Sequence, residues 1–282
     1  TQHIGAYSID VPHPEDKKRL EPITFLDTPG HAAFSAMRAR GANVTDLIVL
    51  VIAADDGVMP QTIESINHAK ASGASIIVAV NKCDVHGANP MRAREQMSEH
   101  GLSAEDWGGD TLFVDVSALK GDGIDKLLDA ILLQAELLEL KANPDRRAVG
   151  NVVESGMEPG GPTATVIVRK GTLKVGDLVI CGQFYGKARA LINEEGDRMK
   201  EAGPSYAVKL LGLNGVPEAG DDFHAVDHEK AARDLAEERG EIAHNQRLDG
   251  RAAGVTLENL FDTIEAASAK TLKIIVKADT QG

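Results

Sequence analysis

The sequence predicts an α/β protein in which a doubly wound domain is followed by a small β-barrel. Over residues 23–140, apolar runs with the length of buried strands alternate with helix-like segments. This alternation is typical of a parallel sheet covered by helices on both faces. Beyond residue 148 the chain consists of short β-rich segments interrupted by glycines, with turn signals about every 8–12 residues, as in a small closed barrel.

Composition limits the classes of function. The chain has 282 residues, 43% of them apolar, and a formal net charge of −13. This length predicts about two domains, and no run reaches the roughly 18 uncharged apolar residues that a membrane span needs. The negative charge argues against a broad surface that coats nucleic acid, although a few basic loops can still dock on RNA. Cys83 and Cys181 are isolated, which fits a reducing cytoplasm without a disulfide framework.

The elements of the first domain follow from their patterns. Residues 10–22 are charged and rich in proline, which predicts a hairpin or loop between two strands. Continuous apolar character predicts a strand ending at Asp27, which we expect to be buried in the parallel sheet. The further predicted strands are 47–54, 75–80 and 111–116, and the predicted helices are 31–40, 61–71, 89–100 and 124–140. The last helix is amphipathic, with an inner side formed by Leu127, Leu128, Ile131, Leu132, Ala135 and Leu138.

The second half predicts a barrel and a connector. Its predicted strands are 149–154, 163–169, 178–180, 188–192, 207–211 and 223–226. Residues 228–248 form a charged helix with little apolar face, as expected of a solvent-exposed connector. A short helix at 256–267 and a strand at 272–276 follow.

Three polar motifs each follow a predicted strand. They are Asp27-Thr28-Pro29-Gly30-His31, Asn81-Lys82-Cys83-Asp84 and Ser117-Ala118-Leu119. The carboxyl ends of strands form the edge at which open α/β sheets bind ligands. One such motif is weak evidence, but three in this order predict a shared ligand site.

In this order the motifs resemble the guanine-nucleotide-binding domain of the translational GTPases, where the Asp-Thr-Pro-Gly motif continues with His. The start, Thr1-Gln2-His3-Ile4-Gly5-Ala6-Tyr7, resembles the effector-loop segment of bacterial-type translation initiation factor 2. The hairpin motif at residues 170–177 resembles the second domain of the translational GTPases. The last six residues, Lys-Ala-Asp-Thr-Gln-Gly, resemble bacterial-type translation initiation factor 2.

The resemblance implies a domain plan. Residues 1–143 would be a P-loop-NTPase-like G domain, 148–227 the barrel, 228–249 a connecting helix, and 254–282 the start of a third α/β domain. The sequence contains no Gly-x-x-x-x-Gly-Lys-Ser/Thr loop, which cradles phosphates and helps to hold Mg²⁺. We therefore expect the G domain to be truncated, with this loop preceding Thr1.

The resemblance also implies residue roles toward GTP or GDP and Mg²⁺. Asp84 would accept hydrogen bonds from the guanine N1–H and 2-amino groups, a donor pair that adenine lacks. Asn81 would bind the Hoogsteen edge, the stem of Lys82 would cover the ring, and the Ala118 N–H would face guanine O6. The full predicted nucleotide-binding set is Asp27, Thr28, Pro29, Gly30, His31, Asn81, Lys82, Cys83, Asp84, Ser117, Ala118 and Leu119.

On the phosphate side, the resemblance assigns Mg²⁺ to Thr1 and, through water, to Asp27. The Gly30 N–H would meet the γ-phosphate, an approach that a side chain would block. His31 is the predicted catalytic residue and would help to place the attacking water on the ribosome.

The resemblance implies a monomeric, cytoplasmic GTPase that joins ribosomal subunits. Its partners would be the rRNA of both subunits and initiator tRNA, the latter bound by a region absent from this chain. Two alternatives stay open. The 282 residues are a ribosome-docking module without GTP turnover, or they belong to another translational GTPase such as an elongation factor.

Overall fold

An antiparallel hairpin opens the part of the protein that the computed structural model describes, residues 3–31, 34–252 and 280–281. Strand β1 (Gly5–Pro12) pairs with β2 (Leu20–Asp27), with Gly5 opposite Asp27. The hairpin predicted for 10–22 is confirmed, but the prediction of a buried parallel strand ending at Asp27 is wrong. The intervening charged segment folds back through a bond from Arg19 N to Asp16 O, so β2 runs antiparallel to β1 and is only partly buried.

A separate parallel sheet forms the core of the first domain. It contains β3 (Leu47–Ala53), β4 (Ser75–Asn81) and β5 (Leu112–Asp115) in that order. The register places Ala53 opposite Asn81 and Val80 opposite Asp115. Parallel strands in register end together, so the polar residues after β3, β4 and β5 lie at one edge of the sheet.

Helices cover this sheet as the alternating pattern predicts. They are α1 (Ser35–Val44), α2 (Pro60–Ser72), α3 (Pro90–Glu99) and α4 (Ile124–Leu137), with a 3₁₀ turn at Glu105–Trp107. Proline at the first position suits the starts of α2 and α3. The Asn89 side chain caps α3 by accepting a hydrogen bond from Arg92 N. Helix α1 begins four residues later than predicted, after the loop at 27–31.

Helix α4 is shorter than predicted. Ile131 and Leu132 are buried as expected, but Leu138 lies beyond the last helical residue and is 41% exposed. Glu139 adopts a left-handed φ of 48°, a conformation that cannot continue a right-handed helix. The predicted inner position of Leu138 is therefore wrong.

The described residues divide near Asn143 into two compact units, and the second contains the barrel. Its strands are β6 (Val149–Glu158), β7 (Gly161–Lys170), β8 (Leu173–Lys174), β9 (Leu178–Cys181), β10 (Phe184–Ile192), β11 (Arg198–Met199), β12 (Glu201–Ala202), β13 (Ala207–Leu213), β14 (Asp222–Val226) and β15 (Thr280–Gln281). The described strands close in the order β10-β13-β7-β6-β14-β9, because β9 also pairs with β10. Strand β15 pairs with β6. The predicted domain limits stay predictions.

A long helix, α5 (Glu229–Ala252), follows the barrel where a connecting helix is predicted. It has a narrow apolar side, because Ala232 and Ala236 are buried. Arg239 Nη1 donates a hydrogen bond to Gly182 O of the barrel. The helix predicted at 256–267, the strand predicted at 272–276 and most of the predicted third-domain segment lie outside the described residues. Within the described ranges, none of the helices combines the length and apolarity needed to span a bilayer.

Candidate functional site

Two of the three predicted motifs meet at the edge of the parallel sheet. The turn beginning at Asn81 follows β4, and the turn beginning at Ser117 follows the neighbouring β5. Backbone bonds hold the two turns together, from Val116 N to Val80 O (2.8 Å) and from Cys83 N to Val116 O (3.2 Å). Their contact follows from the register of adjacent parallel strands, so the site is a consequence of the sheet.

The side chain of Asn81 joins these turns. Its Oδ1 accepts hydrogen bonds from Lys82 N at 2.7 Å and from Ala118 N at 3.0 Å. The Ala118 N–H thus donates to Asn81 in this structure, whereas the sequence prediction directs it to guanine O6. For the predicted contact, the Ala118 N–H must donate to guanine O6 either in addition to Asn81 Oδ1 or instead of it. Asn81 Nδ2 is the donor that this arrangement leaves for the Hoogsteen edge of a purine.

Asp84 and Ser117 form a second link. Ser117 Oγ donates to Asp84 Oδ1 at 2.7 Å, and Ser117 is buried. This hydrogen bond lowers the pKa of Asp84 below its ordinary value. A carboxylate oxygen has two lone pairs, so Asp84 keeps acceptor capacity for a pair of donors on a base.

Lys82 is held by two acidic residues, Asp55 and Asp56, that are not among the predicted site residues. Its Nζ lies 3.2 Å from Asp55 Oδ2 and 3.3 Å from Asp56 Oδ2, and these hydrogen bonds raise its pKa. Its backbone adopts a φ of 64°, which is uncommon for a residue with a side chain. This contact has one signal in the sequence. Asp55 and Asp56 follow the predicted strand 47–54, and Lys82 follows the next predicted strand, 75–80.

Cys83 and Leu119, two members of the predicted nucleotide-binding set, differ in their surroundings. The Cys83 thiol donates to Val80 O at 3.2 Å, and burial raises its pKa, so it is a structural rather than a reactive group. Leu119 is 90% exposed. It offers apolar surface beside the turn, and its predicted contact with a nucleotide stays a prediction.

The third motif follows β2, outside the parallel sheet. Asp27 is exposed at the end of that strand. Among the described residues, and apart from the two chain neighbours of Gly30, no atom lies within 4 Å of a Cβ built on this glycine, so the space on that side is open. The His31 ring is exposed and lies 6.2 Å, centroid to centroid, from the Phe34 ring in an edge-on arrangement. The structure thus links the motifs at residues 81–84 and 117–119 directly, and it places this one on a different sheet.

The donor set for Mg²⁺ is limited in the described part of the chain. Thr1 lies outside the described residues, and no cluster of three or more His, Cys, Asp or Glu residues with metal-binding spacing occurs among those described. Mg²⁺ is commonly held by one or two carboxylates together with substrate phosphates and water. The exposed Asp27 carboxylate fits that pattern of binding.

Family comparisons cover both halves of the chain. The model of the elongation factor Tu GTP binding domain matches residues 1–136. The model of elongation factor G domain 2 matches residues 147–226. The parallel-sheet domain and the barrel therefore occur in the order found in translational GTPases.

Curated relatives match along the whole chain. Translation initiation factor IF-2 of Granulibacter bethesdensis is 55% identical over 284 residues, which cover 100% of this chain and 30% of the relative. Translation initiation factor IF-2 of Lysinibacillus sphaericus is 56% identical over 283 residues, covering 100% and 36%. The chain thus spans about a third of the length of these relatives.

Solved structures of translation factors are also similar to this chain. GDP-bound aIF5B from Aeropyrum pernix superposes with a TM-score of 0.67 at 25% identity, covering 86% of this chain and 51% of that one. Translation elongation factor SelB from Methanococcus maripaludis, solved with a GTP analogue, has a TM-score of 0.60 at 22% identity, covering 81% and 50%, and supports the fold alone. Along its whole length the chain is similar to translation initiation factor IF-2, and its first 136 residues match the elongation factor Tu GTP binding domain.

Proposed function

We propose that the protein is a translation initiation GTPase that hydrolyses GTP to GDP on the ribosome during initiator-tRNA-dependent joining of the subunits. The observation that carries the proposal is that hydrogen bonds join two turns at the edge of the parallel sheet. They connect Ser117 to Asp84 and Ala118 to Asn81. Similarity to translation initiation factor IF-2 over the whole chain supports the initiation step rather than elongation.

Asp84 is the proposed determinant of base specificity. Guanine presents two adjacent donors, N1–H and the 2-amino group, and an ionised carboxylate accepts both in a charge-assisted pair. The hydrogen bond from Ser117 lowers the pKa of Asp84 and so keeps this carboxylate charged. Adenine has no matching donor pair, so it leaves the charge without partners.

Asn81 and Lys82 are proposed to hold the purine from the other sides. The Asn81 Nδ2 group donates to the Hoogsteen edge, while its Oδ1 keeps the two turns together. The aliphatic stem of Lys82 covers the ring, with its ammonium anchored by Asp55 and Asp56. Cys83, Ala118 and Leu119 complete the nucleotide-contacting surface.

The loop at residues 27–31 is proposed to serve the phosphates. Bound Mg²⁺ would neutralise phosphate charge, and Asp27 would hold it through water, together with Thr1. The Gly30 N–H donates to the γ-phosphate, and Thr28 and Pro29 set the path of the loop. His31 orients the attacking water once ribosomal RNA orders the site, because its ring nitrogens can donate or accept a hydrogen bond.

The proposed partners are the rRNA of both ribosomal subunits and initiator tRNA, with the protein acting as a cytoplasmic monomer. Exposed basic residues of the barrel, Arg169, Lys170 and Lys187, are candidates for contacts with RNA phosphates. With a net charge of −13, such contacts are local rather than a general attraction to nucleic acid.

A second candidate function is favoured by one observation. The 282 residues contain no phosphate-cradling Gly-x-x-x-x-Gly-Lys-Ser/Thr loop, whose backbone N–H groups and Lys supply much of the grip on a nucleotide. On this account the 282-residue chain is a ribosome-docking module that neither holds GTP tightly nor turns it over.

Titration of fluorescent GTP separates the two candidates. Binding by the 282-residue chain at micromolar or tighter Kd rejects the docking-only candidate for this chain. For the full-length gene product, we expect GTP hydrolysis that purified ribosomes accelerate. Absence of that acceleration, with GTP shown to bind, would overturn the proposed function.

A further inference from the structure

A buried arginine holds the loop that carries Gly30 and His31. Arg38 lies on α1 and is only 7% exposed. Its Nη1 donates one hydrogen bond to Pro29 O at 2.9 Å and another to His31 O at 2.7 Å. One guanidinium nitrogen therefore restrains the carbonyls on both sides of Gly30.

The Pro29 carbonyl and the Gly30 N–H belong to the same peptide group. None of the described peptide bonds is cis, and in a planar trans peptide the C=O and N–H point in opposite directions. Arg38 draws the Pro29 oxygen toward α1, so the Gly30 N–H points away from that helix. Within the described part of the chain, and apart from the two neighbouring residues, no atom lies within 4 Å of the position that a Gly30 Cβ would occupy, so there is room for a ligand group beside this glycine.

Helix α1 approaches the loop at a second point. A Cβ on Gly41, three residues after Arg38, would lie 2.9 Å from Thr28 Cγ2. A glycine is therefore needed for this close approach. The two contacts fall on one side of the helix, so α1 holds the loop at Thr28 and at the two carbonyls.

Helix α2 in turn holds Arg38. Arg38 Nη2 lies 2.8 Å from Glu64 Oε1, and Ser35 and Arg38 together lower the pKa of Glu64. His68, on the same helix, lies 3.5 Å from Glu64 and contacts Ser35 Oγ at 2.9 Å. The loop at residues 27–31 is thus connected through one arginine to the side chains of α2.

The guanidinium is poorly satisfied for a buried charge. Within the described ranges, Nε and Nη2 have no acceptor in good hydrogen-bond geometry, although Nη2 keeps its ion pair with Glu64. Burying such a cation costs stability, and apolar replacements of similar volume are often neutral or stabilising. An apolar residue at position 38 could therefore serve packing as well as an arginine does. Only a donor such as the guanidinium can hold the Pro29 and His31 carbonyls.

We infer that Arg38 is a positioning residue that orients the Gly30 N–H toward the terminal phosphate and so sets the preference of the protein for GTP over GDP. Glu64 supports this role by holding the guanidinium in place. The inference rests on the proposed function, because it assumes that a guanine nucleotide occupies the site.

The test compares nucleotide affinities of full-length variants. Arg38→Met keeps an unbranched apolar stem but removes the guanidinium and with it both carbonyl contacts. The Kd of a non-hydrolysable GTP analogue should rise about tenfold, the worth of one hydrogen bond to a charged acceptor, while the Kd of GDP stays unchanged. Arg38→Lys should restore part of the preference, and Glu64→Gln should reduce it less than Arg38→Met does.

Arg40→Met is the matched control, because Arg40 lies on the same helix and its Nε donates a hydrogen bond to Ala36 O of that helix rather than to the loop. Its ratio of GDP to GTP-analogue affinities should equal that of the wild type. An unchanged ratio in Arg38→Met, or equal losses for both nucleotides, overturns the inference. If Arg38→Met does not fold, the ratios of Arg38→Lys and Glu64→Gln decide in the same way. A wild-type protein that binds neither nucleotide refutes the proposed function instead.

Discussion

The two sides of the candidate site are built differently. On the base side, the turns at residues 81–84 and 117–118 follow neighbouring parallel strands and are tied by side-chain hydrogen bonds of 2.7 and 3.0 Å. On the phosphate side, the loop at 27–31 follows a strand of a separate antiparallel hairpin. This loop is held at its carbonyls by Arg38.

The difference concerns how each side keeps its geometry. The base side depends on a strand register and on bonds between its own members, so its shape is present without a nucleotide. The phosphate side depends on an arginine that reaches in from a helix, which in turn contacts another helix. An element held from outside can be shifted by changes elsewhere in the protein, and this suits the role toward a terminal phosphate that we propose for the loop.

The largest expected effect tests the separation of the two sides. His31→Ala should slow ribosome-stimulated GTP hydrolysis by about 10²–10⁴-fold, the range for losing a group that handles a proton in the transition state. Affinity for GTP should stay nearly constant, because base recognition lies elsewhere. Single-turnover hydrolysis and equilibrium titration of the full-length protein measure the two quantities.

His100→Ala is the control for that substitution, since His100 lies at the end of α3. It should hydrolyse GTP at the wild-type rate. A large loss of GTP affinity in His31→Ala would reassign His31 to binding and remove the distinction between the two sides.

The next effect concerns the base side alone. Asp84→Asn replaces an acceptor with an amide that can donate to the 2-oxo group of xanthine. GTP affinity should fall roughly 100-fold, as expected for the loss of a bidentate charge-assisted pair, and xanthosine triphosphate should bind instead. Competition between the two nucleotides measures the change.

Asp129, which is exposed on α4, is the control position, because its replacement by Asn removes the same charge as Asp84→Asn. Asp129→Asn should keep the preference for guanine. If Asp84→Asn retains wild-type affinity for GTP, the assignment of Asp84 is wrong.

The smallest effect sharpens the comparison through pH. Nucleotide binding needs ionised Asp84, so affinity is present above the pKa of this group and is lost as pH falls through it. The Ser117 hydroxyl lowers that pKa, and Ser117→Ala should raise it again, so that the acid loss of affinity begins at a higher pH. At neutral pH the affinity should fall only about threefold, the worth of a typical net hydrogen bond.

Ser65→Ala serves as its control, because the Ser65 hydroxyl bonds to Gln61 O within α2. Titration of fluorescent GDP from neutral pH down through the ordinary pKa range of an aspartate, about pH 4, compares the two variants. Coinciding pH profiles for Ser117→Ala and the wild type would show that this hydrogen bond does not tune the site.

Much of the fold follows from patterns in the sequence. The alternation of apolar runs with helical segments predicts β3, β4 and β5 and the helices between them, because burial on both faces requires continuous apolar strands. Pro60 and Pro90 mark two helix starts. The six longer barrel strands were also predictable from glycine-bounded β segments, and the structure lengthens most of them by one or more residues.

Other features were not predictable from local pattern. The apolar run before Asp27 looks like the parallel strands, yet it pairs antiparallel with β1, because pairing depends on which strand lies beside it. Asp55 and Asp56 look like turn residues, and their contacts with Lys82 arise from the register of β3 and β4. The early end of α4 follows from the backbone at Glu139.

The sequence by itself determined the succession of an α/β region and a β-rich region, the three polar motifs and their resemblance to the translational GTPases. These are properties of spacing and residue type along the chain. Tertiary structure decided which groups touch: the bond of Ala118 to Asn81, the acidic pair on Lys82, and the buried Arg38 on the loop carbonyls. The first two contacts join residues that are far apart in the chain and depend on strand register. The third depends on how a loop packs against the helix that follows it. No local pattern specifies either.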